Sequence, residues 1–188
     1  MDKSSKVKIS PRVISVSLDA RHEFSKSVVS RIKLVEGEGV EGDAHRGVTV
    51  QHRSRLKKDP NQPNLRQVHL LHTELISELK SRGFCIQPGT LGENIMTEGL
   101  NLLDLPTNTV LQVGKTVQLK ITGLRNPCSQ LDNFQKGLTA AVLDRDGNGE
   151  LIRKAGIMAI VLTGGIVTPG DEIAVHKPVK PHESLKPV

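Results

Sequence analysis

The sequence predicts a mainly β single domain, a sandwich or a barrel, with a few short helices. Three observations carry that reading. Short runs rich in valine, isoleucine and threonine recur at close spacing. Turn residues such as Pro106-Thr107-Asn108 and Gly114-Lys115 separate successive runs, the pattern of a sandwich or barrel. The best helical periodicity is confined to one segment, which begins at His72 or Thr73 and stops at Gly83. At 188 residues the chain is one domain by length, with ample chain to bury a core.

Taken in order, residues 1–9 read as a flexible arm, 10–176 as the domain and 177–188 as a Pro- and Lys-rich tail, extended and mobile. Val13–Leu18 is the first strand and Ser27–Leu34 the second. Residues 36–43 are glycine-dense, and residues 53–64 form a loop with two prolines and no apolar periodicity. Gln67–Leu71 is a short strand. In the helix that follows, Leu75, Ile76 and Leu79 share a face, Thr73 is a plausible N-cap, and Glu74 suits the positive end of the dipole. Cys85 reads as core. Strands are then expected at 94–97, 100–105, 109–113 and 116–122, the last ending at Gly123. Leu131, Phe134 and Leu138 fit one side of a short helix, and 156–162 and 172–175 close the strand set.

Composition excludes several chemistries. Two cysteines, Cys85 and Cys128, cannot build a Cys₄ iron–sulfur or zinc site within one chain. The formal net charge of +6 favours an anionic partner or simply a solvated basic surface. Nucleic acid is not expected, because three phenylalanines and no Trp or Tyr leave almost no stacking platform. The opening residues lack an apolar signal segment, and the run 157–162 is too short to span a bilayer, so the expected location is cytoplasmic with no integral membrane segment. Asp144-Arg145-Asp146-Gly147-Asn148 invites a calcium loop, but Ala155 stands where the twelfth-position glutamate belongs, so a turn is the better reading. His69-x-x-His72, with His45 and His52, lacks a fourth ligand for tetrahedral zinc.

Chemistry concentrates at Leu124-Arg125-Asn126-Pro127-Cys128-Ser129-Gln130-Leu131. Pro127 stiffens the turn that presents Cys128, and the Arg125 cation lies three residues upstream, an arrangement that favours a thiolate. Most lone cysteines are small buried hydrophobes, so this feature alone does not decide between packing and reactivity. A second segment, Gly89-Thr90-Leu91-Gly92-Glu93-Asn94, offers a tight loop whose N–H groups can cradle an anion.

The cysteine segment resembles the motif of the MOSC family, the domain at the C-terminal end of molybdenum cofactor sulfurases. Two further segments match in order: Val40-Glu41-Gly42-Asp43-Ala44-His45-Arg46-Gly47 resembles the family's early Gly-Asp motif, and Gly89-Thr90-Leu91-Gly92-Glu93-Asn94-Ile95 its central one. The resemblance spans residues 10–176. It implies a MOSC-type β-barrel-like fold and a molybdenum cofactor, an anionic pterin, as ligand. It implies Cys128 as catalytic residue and metal ligand, with Arg125, Asp43, His45, Thr90, Gly92, Glu93 and Asn94 as cofactor-binding residues. The activity it implies is reduction of N-hydroxylated or related small molecules by electrons from a redox partner. One alternative is a sulfur carrier that takes a Cys128 persulfide from a cysteine desulfurase, since a chain of 188 residues has no room for a pyridoxal phosphate desulfurase domain. The other is a non-catalytic module that binds an anionic ligand.

Overall fold

A computed structural model describes residues 10–51, 56–57 and 59–188. The expected N-terminal arm, His52 and part of the 53–64 loop lie outside the described residues. Thirteen strands are described: β1 (Arg12–Leu18), β2 (Ser27–Val29), β3 (Ile32–Val35), β4 (Gly39–Val40), β5 (Val68–His72), β6 (Ile95–Glu98), β7 (Val110–Val113), β8 (Val117–Leu124), β9 (Leu143–Arg145), β10 (Leu151–Arg153), β11 (Ile157–Thr163), β12 (Gly165–Val167) and β13 (Ile173–His176). Three α-helices are described with them: α1 (Thr73–Ser81), α2 (Gln130–Phe134) and α3 (Leu138–Ala141).

Eight strands form one sheet in the order β13-β7-β8-β11-β5-β6-β1-β2. The sheet curls without a closing ladder. Its β13 end meets β1 through a single bridge, Arg12 to Glu172, backed by Val13 N–H to Asp171 O at 2.8 Å. The mainly β class therefore stands, and the barrel is open. A three-stranded sheet (β12-β3-β4) and the β9–β10 hairpin complete the fold.

Side chains alternate across a strand, and this alternation builds two cores. On β5 and β6, Leu70 and Ile95 join the interior with Val16, Leu119, Ile121 and Ile157. Their neighbours Leu71 and Met96 face outward, under Leu75 and Leu79 of α1 and Leu131 of α2. This is why β5 is buried along nearly its whole length, and why its partner β6 runs parallel, reached over α1.

Several expectations change. Ser27–Leu34 is two strands, because the chain leaves the large sheet after β2 and joins the small one as β3. Residues 100–105 are not a strand. Leu102–Asp104 is a single 3-10 turn, closed by Asn101 Nδ2 donating to Asp104 Oδ2 at 2.6 Å, the local bonding by which Asn and Asp compete with ladders. β8 does not end at Gly123 but runs to Leu124. A Cβ on Gly123 would collide with the Lys186 carbonyl, so this glycine admits the C-terminal segment. Residues 177–188 are extended, and Leu124 N–H donates to Lys186 O at 2.8 Å while Thr107 N–H donates to Glu183 O at 2.9 Å. The expected helix over 131–138 breaks into α2 and α3 at Gly137, whose φ is +88°. Cys85 is exposed rather than core. Thr73 is the first residue of α1, and the N-cap is His72. The 144–150 segment is the turn of the β9–β10 hairpin, where Asp146 Oδ1 accepts the N–H groups of Asn148 and Glu150.

Candidate functional site

A cavity of about 530 Å³ opens where the loop after β8 faces the ends of β5 and β6. That volume lies in the range of small-molecule sites. Cys128, half-buried, lies at its wall, and its Sγ donates to Gln130 Oε1 at 3.4 Å. Arg125, His45, Gly92 and Asn94 also line it, so five of the eight expected residues converge. Arg125 is fixed by its N–H to Gly156 O at 3.0 Å, and its NH1 nitrogen is buried without a partner. Burial weakens the hold of Arg125 on its proton, and its acidic neighbours only partly counter that. The guanidinium stays charged.

Asp43 does not line the cavity; it organises the wall behind it. Its Oδ2 accepts from Lys26 Nζ at 2.6 Å and Asn94 Nδ2 at 3.0 Å, and its Oδ1 accepts from His45 N–H at 2.9 Å. Burial opposes the Asp43 charge, but His45 and Lys26 outweigh it and hold the carboxyl well below the usual range. For Lys26 burial dominates and pushes its pKa down despite Asp43. Asn94 bridges three segments, donating also to Ser17 O at 3.2 Å and accepting from His69 N–H at 3.1 Å. His69 Nε2 lies 2.8 Å from Ala155 O. A carbonyl only accepts, so Nε2 carries the proton. Burial, with Arg125 nearby, keeps the ring neutral.

The loop amides hold a carboxyl group, and that group is the protein's own. Gly89 N–H donates to Glu93 Oε1, and the amides of Leu91 and Glu93 also face this side chain. Gly92 N–H is bonded to Gly89 O at 3.0 Å and Thr90 N–H to Gln87 O at 3.1 Å. The loop's glycines have a second cause: a Cβ on Gly92 would sit 2.6 Å from the Phe24 carbonyl, and one on Gly89 would strike that of Lys26. Gly89→Ala is expected to cost about 2–3 kcal/mol in urea unfolding, since it combines a backbone clash with a φ of +82°. Gly42→Ala, at φ +80° with nothing within 4 Å, is expected to cost about 1 kcal/mol. Thr90 is outside the cavity, with its Oγ1 accepting from Gln87 N–H at 3.0 Å. Glu93 is also behind the wall, 1% exposed, with Oε2 unpartnered.

Lys26, Arg66, His69, Asn126, Gln130 and Met158 line the cavity without having been expected there. Nothing in the sequence near Lys26 sets it apart from a surface lysine, and Met158 reads as part of an apolar run. The sequence offers His69 only as part of a histidine set that lacks a fourth zinc ligand. Among the described residues no cluster of three His, Cys, Asp or Glu side chains is placed to hold a metal ion. Gln62 of the 53–64 loop reaches the cavity, and its carbonyl accepts from Val50 N–H at 2.9 Å. Among the described residues no helix is long and apolar enough to cross a membrane.

The fold resembles several solved structures. The YuaD protein from Bacillus subtilis superposes with a TM-score of 0.72 at 23% identity, covering 91% of this chain and 98% of that one. YiiM from Geobacillus stearothermophilus gives 0.65 at 17% identity, covering 93% and 79% of the two chains. YiiM from Escherichia coli gives 0.59 at 18% identity, covering 92% and 73%. No curated protein matches. The family model described as MOSC domain matches residues 45–174, a stretch that holds Cys128, Arg125 and the whole glycine loop. With more than half of its length under that match, the chain belongs to the MOSC domain family.

Proposed function

We propose that this chain binds the molybdenum cofactor and reduces N-hydroxylated or related small molecules, with Cys128 as the protein ligand to the metal and a separate protein as electron donor. The observation that carries this is the placement of a half-exposed thiol and a buried, partly unpartnered guanidinium on one cavity. The residues fit the group. A dithiolene-held molybdenum accepts a further soft thiolate, and Cys128 is the one cysteine on the cavity. An anionic pterin phosphate requires a cation, and the buried Arg125 guanidinium borders the space with one nitrogen unpartnered, while Asp43 neutralises Lys26.

The cofactor would supply two-electron oxygen-atom transfer. The chain's own residues bind and orient. Arg125 balances the negative charge of the thiolate. Asp43 and Asn94 fix His45 and the ends of β5 and β6, so the wall keeps its shape as a ligand enters. The overall reaction, R–NHOH + 2e⁻ + 2H⁺ → R–NH₂ + H₂O, needs an external reductant, consistent with two cysteines and no dinucleotide motif.

The test is composition. Protein purified from a cofactor-producing host is expected to carry molybdenum and pterin in stoichiometric amounts, and Cys128→Ala to lose both. With no Trp or Tyr in the chain, a bound chromophore stands out in the near ultraviolet. Equal metal in both proteins would remove Cys128 as ligand. No metal in either, with an added sulfur on the Cys128 peptide that a reductant removes, would make the chain a sulfur carrier.

A further inference from the structure

The sequence has three phenylalanines and no other benzenoid or indole ring, and two of the three stand together beside the cavity, Phe24 on its wall and Phe134 next to it. The Phe24 and Phe134 ring centroids are 5.8 Å apart, with their planes tilted by 36°. They border a second, open groove of about 620 Å³, which shares Glu23, Phe24 and Gln130 with the Cys128 cavity. The two spaces therefore adjoin along these three side chains. Phe24 is anchored, packed against the outer core beneath it. Phe134 is 44% exposed, although it sits on a helix whose neighbour Leu131 is fully buried.

We propose that the Phe24–Phe134 ledge is the substrate subsite of this cavity and that it selects substrates carrying a planar ring. Gln130 and Phe134 are four residues apart on α2, so they share one helix face. Gln130 already contacts the thiol. A line therefore runs from Cys128 over Gln130 to Phe134. A flat ring laid on the open side of Phe134 would point a substituent along that line toward the sulfur. An aromatic pair gains energy from stacking beyond the area it buries, which an open-chain or puckered group of equal size does not obtain. Asn133, at the groove's edge, offers an amide to a polar ring edge.

This inference rests on Cys128 marking the reacting end, but its test does not need turnover. Three hydroxamic acids would be titrated into the protein as purified and followed by ligand-observed nuclear magnetic resonance: benzohydroxamic, cyclohexanecarbohydroxamic and acetohydroxamic acid. The wild type is expected to bind the planar ring about tenfold more tightly than either of the others. Phe134→Ala should abolish that preference and Phe134→Tyr should keep it. The preference is read from binding alone and compared between wild type and Phe134 variants of matched metal content, so failure of the cofactor reading leaves this result unaffected. Equal affinity for the three compounds, no binding of the ring compound at millimolar concentration, or an unchanged preference in Phe134→Ala would overturn the proposal.

Discussion

Replacing Lys26 with methionine is expected to destabilise the fold by about 3–5 kcal/mol, the range for stripping one partner from a buried ion pair. The Lys26 and Asp43 side chains are 5% and 1% exposed, and their contact is 2.6 Å. Methionine fills similar volume, so the loss reads the stranded charge rather than a hole. The pair as a whole adds little, because the cost of burying both ions offsets their attraction. The damage comes from leaving Asp43 ionised with a partner missing. Its pH dependence identifies the cause. In the wild type the partners depress the Asp43 pKa, so its stabilisation is present above the unfolded value of 3.8 and fades as pH falls through the folded one. In the variant, Asp43 takes up a proton more readily, so the deficit should be largest at neutral pH and shrink toward pH 5. Urea unfolding at both pH values measures this, and a uniform deficit below about 1 kcal/mol would show the charge to be well solvated.

The second large effect belongs to Glu93. Burial raises its pKa to about 7, against 4.5 as its ordinary value, even though the loop amides and Arg125 favour the charged form. Between those values the folded protein holds a proton that the unfolded chain releases. Folding stability should therefore be full below pH 4.5 and fall as pH rises through 7, by about 3 kcal/mol at 1.36 kcal/mol per unit. Glu93→Gln removes the titrating group and keeps the shape, so groups common to both proteins cancel in the comparison. The stability of the wild type minus that of the variant should decline across this window. Parallel curves would mean that Glu93 ionises normally inside the fold.

The strands and the long helix were legible because their causes are local: alternation on β8, a repeated apolar face on α1, turn residues between. Where tertiary packing decides, local patterns failed. Nothing in residues 27–34 announces that the chain changes sheets, and Gly123 reads as a stop although it is a gap cut for the C-terminal segment. The site divides the same way. Cys128, Arg125, His45, Gly92 and Asn94 converge, and the family motif pointed to all five. It could not tell that Asp43 and Glu93 stand behind the wall, nor that the glycine loop's amides serve Glu93. Lys26, Arg66 and Met158 come from three separate segments, and only folding brings them together.

The strand β5 has one neighbour on each side, β11 and β6, and lends alternate side chains to two cores. Neither core can open without stripping this strand of contacts. The amides of Leu70 and Leu71 should then exchange with deuterium only through whole-molecule unfolding, and their protection should report the global stability. Amides of the β9–β10 hairpin, paired only with each other, should exchange through local opening many times faster. The molecule would be most rigid along one internal strand and loosest at a hairpin whose Arg153 reaches Asn126 on the rim of the cavity.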